Sequence, residues 1–150
     1  MAFITNNVAI GSDHAGFELK EKIKKHFSEK GISFHDFGTN SEESVDYPDY
    51  AHPLAKSVSE GKYGLGIVIC GSGNGVNMTV NKHQKIRSAL CWNPEIAGLA
   101  RQHNNANIIA LPARFVSFEE AISMLEIFLS TEFEGGRHQK RIDKIPGINC

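Results

Sequence analysis

Cys70 stands at the end of a short apolar run, Gly66-Ile67-Val68-Ile69, and passes directly into Gly71-Ser72-Gly73-Asn74-Gly75-Val76. A strand that delivers a nucleophilic or basic side chain into a glycine loop, followed by a helix start, builds an anion site. Glycines let the backbone approach a ligand with no Cβ in the way, and amides at the start of the following helix point at negative charge. Other reactive side chains occupy comparable places. Asp13 and His14 follow the first apolar run, Arg114 follows the last, and His103-Asn104 close a helical segment.

Look-alike loops are excluded by spacing. A dinucleotide fingerprint needs G-x-G-x-x-G after the first strand and an acid at the end of the next. Here the loop is G-x-G-x-G after the third strand, and the fourth ends at Cys91-Trp92. A Walker loop needs Gly-Lys-Ser/Thr, but Gly75 is followed by Val76-Asn77. A cysteine phosphatase loop needs an arginine six residues after the thiol, where this chain has Val76. What survives is a set of backbone amides beside a thiol, suited to an oxyanion.

A second feature is Gly135-Gly136-Arg137-His138-Gln139-Lys140-Arg141. Arg137 and Arg141 are four apart, on one helix face, where like charges repel by a few tenths of a kcal/mol. A phosphate between the guanidiniums reverses that sign through charge-assisted bonds. A solvated basic helix is the other reading of the same segment. Asp13 likewise reads either as an active-site carboxylate or as a cap for the helix after it.

These residues need a scaffold, and the pattern supplies one. Strands are expected over residues 8–11, 32–37, 65–70, 87–92 and 107–111. The run 65–70 is continuous and apolar, as in a fully buried parallel strand. Leu19, Ile23 and Phe27 recur every four residues, giving a helix that Gly31 stops. Tyr50, Leu54, Ala55 and Val58 mark a second helix, ending at Gly61. Further helices are expected over 76–81, over 94–103 with Pro94 near its first position, and through Ala121, Leu125 and Phe128. Ser117 and Glu120 form a capping box for that last one. A basic helix over 137–145 ends the series.

Strict alternation of this kind implies an α/β fold: a three-layer, doubly wound, Rossmann-like domain with a five-stranded parallel sheet and a C-terminal helix. Residues 1–150 are expected to form a single domain. Ligands of such sheets bind at the carboxyl ends of the strands. The expectation is therefore one rim carrying a carboxylate (Asp13), two imidazoles (His14, His103), a thiol (Cys70) and a hydroxyl (Ser72). Tyr47 and Trp92 are candidates for lining a pocket or for core packing.

Composition narrows the partners. Sixteen Lys and Arg against 17 Asp and Glu leave a formal net charge of −1, which argues against nucleic acid or an anionic membrane and for a small anionic ligand. Three widely spaced cysteines, Cys70, Cys91 and Cys150, suggest neither a zinc ribbon nor a disulfide scaffold, so a reducing cytoplasmic setting is expected. Cys91 reads as a packed small hydrophobe and Cys150 as exposed. His26, His35, His52 and His83 show no metal-ligand spacing, and His26 reads as surface. Residues 1–7 lack the features of a signal peptide, and no apolar run approaches membrane-spanning length.

Five motifs in order resemble one family: Gly11-Ser12-Asp13-His14-Ala15-Gly16, Asp46-Tyr47-Pro48, Cys70-Gly71-Ser72-Gly73-Asn74-Gly75, Arg101-Gln102-His103-Asn104 and Glu134-Gly135-Gly136-Arg137-His138-Gln139-x-Arg141. Together they resemble the ribose-5-phosphate isomerase B family, which also holds galactose- and allose-6-phosphate isomerases. The likeness spans about Val8 to Ile145.

The resemblance implies interconversion of ribose 5-phosphate and ribulose 5-phosphate through an enediol, with no metal or other cofactor; a hexose 6-phosphate substrate and a non-catalytic sugar-phosphate sensor are the alternatives. It implies that Cys70 moves the proton between C1 and C2 and that Ser72 serves the hydroxyl protons. Amides of Gly71, Gly73, Asn74 and Gly75 would hold the enediolate oxygen. His103, with Asp13 assisting, would open the furanose ring. His14, Arg114, Arg137 and Arg141 would hold the phosphate, with Tyr47 and Asn104 also lining the site. It further implies a homodimer or tetramer with composite sites, in which His103, Asn104 and Arg114 are candidates for supply by the partner chain. Some relatives use a glutamate slightly later in the loop as base. Here Gly75 and Val76 stand there, which leaves Cys70 in that role.

Overall fold

The computed structural model describes residues 2–147. Its elements alternate as β1 (Asn7–Ser12), α1 (Phe17–Ser28), β2 (Ser33–Asp36), α2 (Pro48–Ser59), β3 (Leu65–Cys70), α3 (Asn74–Val80), β4 (Ser88–Leu90), α4 (Pro94–Gln102), β5 (Ile108–Pro112), α5 (Phe118–Ser130) and α6 (Arg137–Ile142). The expected α/β alternation is met element for element. All four strand pairings are parallel, in the order β2-β1-β3-β5-β4.

Period-two alternation along the central strands decides which helix covers which face. Val8 and Ile10, Ile67 and Ile69, and Ile109 and Leu111 pack against Ile23 and Phe27 of α1, Ala97 and Ala100 of α4, and Leu125 and Phe128 of α5. Ala9, Val68, Cys70, Ile108 and Ala110 face the opposite way, against Leu54 and Val58 of α2 and Val76 and Val80 of α3. The sheet is thus buried on both sides. Cys70 points to the side of α2 and α3.

The chain leaves β1 toward one edge and β3 toward the other, so a topological switch point lies between these two neighbours, where a crevice opens at their carboxyl ends. β5 then inserts between β3 and β4, leaving β4 as a short edge strand. It is shorter than expected from the apolar pattern: Cys91 N still donates to Ala110 O at 3.1 Å, but the chain bends away from the sheet at Trp92. Cys91 is fully buried, and burial pushes its thiol up to about 12, in keeping with the expected packing role. Trp92 is 55% exposed, neither core nor cleft. α6 likewise stops at Ile142, short of the expected 145. Cys150 lies outside the described residues.

Two ion pairs to one carboxylate fasten the frame. Lys20, with no exposed surface, meets Asp36 at 2.6 Å, and Lys24 meets the same carboxylate at 2.7 Å, tying α1 to the end of β2. His26 is half-buried rather than surface: its ring packs edge-on against Phe27 and Phe118.

Candidate active site

The cleft at the switch point has a volume of about 610 Å³ and is lined by Asp13, His14, Ala15, Tyr47, Cys70, Gly71, Ser72, Gly75, Arg114 and Phe115. Eight of these were anticipated from sequence. Cys70 is only 5% exposed, but it is part of that lining.

Each wall has a local cause. β1 ends at Ser12, and Asp13 Oδ1 accepts from Gly16 N at 3.1 Å, closing the turn into α1. Asp13 thus braces the turn before α1 and does not cap the helix, whose N-cap is Gly16 with no side-chain bond. It also has a place in the cleft, and its Oδ2 has no partner among the described residues. His14 Nδ1 accepts from Val45 N at 3.1 Å. The proton of the neutral ring then sits on Nε2, which is left as a donor. Val45 reaches His14 because the segment after β2 is stitched to the end of β1: Ser12 N donates to Gly38 O at 2.7 Å and Thr39 N to Ser12 O at 2.8 Å. The same segment carries Tyr47 to the rim of the cleft.

The glycine loop is shaped by contact. Gly73 has φ 77, and a Cβ there would lie 2.5 Å from Leu90 Cδ1 and 3.2 Å from the Leu111 backbone. Its smallness serves packing, and neither Gly73 nor Asn74 lines the cleft. Gly71 is different: a Cβ would lie 3.0 Å from Arg114 Nη1. The guanidinium therefore rests over the loop beside Cys70, and Arg114 N also donates to Gly71 O at 3.0 Å. Arg114 belongs to the same chain's cleft, so the expectation that a partner could supply it is corrected.

His103 and Asn104 are not in this cleft, contrary to the expectation of one shared rim, and neither are Arg137 and Arg141. The reason is directional. A helix after a parallel strand starts at the carboxyl edge and returns to the amino edge, so the end of α4 lies opposite Cys70. Arg87 and Asn107, which immediately precede β4 and β5, mark that edge, and Arg87 donates to Asn104 O and Asn105 O at 3.0 Å each. Arg101, 5% exposed, adds bonds to Ala106 O at 2.6 Å and Asn105 Oδ1 at 3.1 Å. Six residues of β3 separate the two edges by roughly 16 Å. Two arginines thus hold the His103–Asn104 turn, a role the sequence reading did not assign.

Beside that turn lies a second cluster. The His138 ring stacks on His103 with centroids 4.3 Å apart and planes at 14°, and Glu134 Oε1 lies 3.5 Å from His138 Nε2. Arg137 and Arg141 are carried on the same short helix. His103, Glu134 and His138 bring ligating atoms within 4.8 Å of one another. Two near-parallel rings, however, direct their nitrogen lone pairs within separate planes, which do not converge on one ion. His52 and His83 also meet, Nδ1 to Nε2 at 2.7 Å, away from both clusters.

This geometry has close counterparts. The family profile described as Ribose/Galactose Isomerase matches residues 8–145. The chain belongs to that family. It is 43% identical over 141 residues to ribose-5-phosphate isomerase B of Escherichia coli, covering 94% of this chain and 95% of that protein. A solved ribose 5-phosphate isomerase from Thermotoga maritima superposes with a TM-score of 0.91 at 52% identity, covering 93% of this chain and 96% of that one. The isomerase B of Mycoplasma genitalium, solved with bound ribulose-5-phosphate, gives 0.89 at 45% identity, with 93% of each chain covered. The family's fold, a parallel α/β sheet with helices on both faces, is that of this chain.

Proposed function

We propose that this chain is an aldose–ketose isomerase that interconverts ribose 5-phosphate and ribulose 5-phosphate through an enediolate. The observation that carries the reading is a thiol at the floor of a cleft whose walls are a glycine loop, a carboxylate, an imidazole and an arginine. Similarity to isomerases along nearly the whole chain supports the same substrate class.

A proton α to a carbonyl is weakly acidic, so a poised base and a stabilised oxyanion are both required. In the aldose-to-ketose direction, the Cys70 thiolate takes the proton from C2 of the open chain. The C2–H electrons form the C1–C2 double bond, and the carbonyl electrons pass to O1. Amides of the loop residues that line the cleft, Gly71, Ser72 and Gly75, receive that oxyanion, and the Ser72 hydroxyl relays protons between O1 and O2. Return of the proton to C1 gives the ketose. These steps run on the chain's own side chains and amides.

Ribose 5-phosphate enters as a furanose, so its ring must open first. His103 of the partner subunit, assisted by Asp13, moves the proton from the anomeric hydroxyl to the ring oxygen. The phosphate is held by His14 Nε2–H and Arg114, and by Arg137 and Arg141 of the partner subunit. Support for a dimer with shared sites comes from the opposite-edge placement of the two clusters. Support also comes from the large apolar side chains of Met78 and Trp92, both exposed on this chain. We take the chain as one isomerase domain acting in the cytoplasm. No helix among the described residues is long and apolar enough to cross a membrane.

Cys70→Ala tests the reading. Loss of turnover by about 10²–10⁴-fold, with loss of hydrogen exchange from ribulose 5-phosphate into D₂O, is expected. An active variant that still exchanges removes Cys70 as the base. Comparing kcat/KM for ribose, allose and galactose phosphates tests the pentose preference.

A further inference from the structure

His103 is the C-cap of α4, and no hydrogen bond holds its ring among the described residues. What meets that ring is His138, stacked at 4.3 Å and 14°. His138 itself is fixed: it is 5% exposed, on a helix anchored by buried Ile142. The chain reaches it through Gly135 and Gly136, whose φ values of 72 and 59 fold the segment back on itself. Glu134 N donates to Gln102 O at 3.1 Å, so the fold-back is tied to the residue next to His103. Glu134 Oε1 stands 3.5 Å from His138 Nε2, which is enclosed and makes no hydrogen bond. A buried imidazole with an unpaired nitrogen is costly for the fold. Its ring face, pressed on His103, accounts for its presence.

We propose that His138 is a positioning residue, a stacking platform that holds the His103 imidazole in the orientation from which it transfers protons during ring opening. This rests on the reading of His103 given above. Proton transfer needs donor and acceptor within hydrogen-bond reach. A half-exposed ring on an otherwise free side chain samples many orientations, and a parallel neighbour removes most of them. The bond from Glu134 N to Gln102 O keeps the platform in register with α4.

The test compares two substrates. Ribose 5-phosphate closes to a furanose through O4. Ribulose 5-phosphate cannot, because the hydroxyl needed for its five-membered ring carries the phosphate. In the full chain, His138→Ala is expected to lower kcat on ribose 5-phosphate by about 10- to 100-fold, with KM and the initial rate from ribulose 5-phosphate changed less than about threefold. His138→Phe, which keeps a ring face, is expected to restore most of the loss. In a His103→Ala background, His138→Ala is expected to add nothing further. Equal loss in both directions for His138→Ala, alongside a direction-dependent His103→Ala, overturns the platform. So does an undiminished His138→Ala effect in the double variant. If His103→Ala itself slows both directions alike, the ring-opening role falls. The double variant then decides the platform alone: non-additivity supports it and additivity overturns it.

Discussion

The ring of Tyr47 occupies the space that a side chain on Gly75 would need: a Cβ there would lie 2.5 Å from Tyr47 Cζ. The segment after β2 and the start of α3 therefore close one side of the cleft only because position 75 is bare.

Gly75→Ala is expected to displace Tyr47 without weakening the fold. Alanine favours the helix by roughly 0.5–1 kcal/mol over glycine, so the melting temperature should hold or rise. Meanwhile kcat/KM should fall about tenfold as the wall moves. Thermal melts and steady-state kinetics on the same preparation check both halves.

The two described thiols should separate cleanly. Cys91 is fully buried with its thiol pushed up to about 12 by desolvation, so it should resist alkylation until the chain unfolds. Cys70 lines the cleft and should be labelled in the native state, with sugar phosphate slowing the reaction. Peptide mapping after a short iodoacetamide pulse reads both sites.

Burial works to raise the Asp36 carboxyl, but the bonds from Lys20, Lys24 and the Gly38 amide outweigh it and hold it below its ordinary value. A depressed carboxylate contributes stability above its unfolded pKa near 3.8, and that contribution is lost as pH falls through the lower folded value. Asp36→Asn should therefore flatten the acid limb of melting temperature against pH below about 4. Lys20→Ala should destabilise by about 3 kcal/mol, the low end for a broken buried pair, because Lys24 still faces Asp36. Lys20→Met should lose less, since it refills the space.

Cys70→Ala and His103→Ala chains should each be inactive on ribose 5-phosphate, and co-refolding them should restore activity. Random pairing makes half of the dimers mixed, and each mixed dimer has one of its two sites intact. Recovery of roughly a quarter of wild-type activity is expected. No recovery would mean that the two residues act within one chain.

Much of this architecture was readable from the residues. The run 65–70 declared a buried strand, Ser117 and Glu120 declared a cap that the structure contains, and the Gly loop placed Cys70 at a carboxyl edge. Strand order was not readable, because local patterns say nothing of β5 inserting between β3 and β4. The same omission misplaced His103: the pattern marks where a helix ends, but only the return path over the sheet says at which edge. The work of Arg87 and Arg101 escaped notice because their partners are carbonyls, which have no sequence signature. His138 was visible in a motif but had no role there, since stacking on His103 depends on the two glycines that fold α6 back.

Arg114 is bonded to Gly71 through its amide and rests its guanidinium over the same residue, so the loops after β3 and β5 are one rigid body. The proposed anion grip and the proposed proton-transfer loop are then held to one another by these contacts. A substrate longer by one carbon has to be fitted on the other flank, around Tyr47 and the segment tethered to His14. Redesign toward hexoses would begin there, and the reacting carbons would keep their place against the thiol.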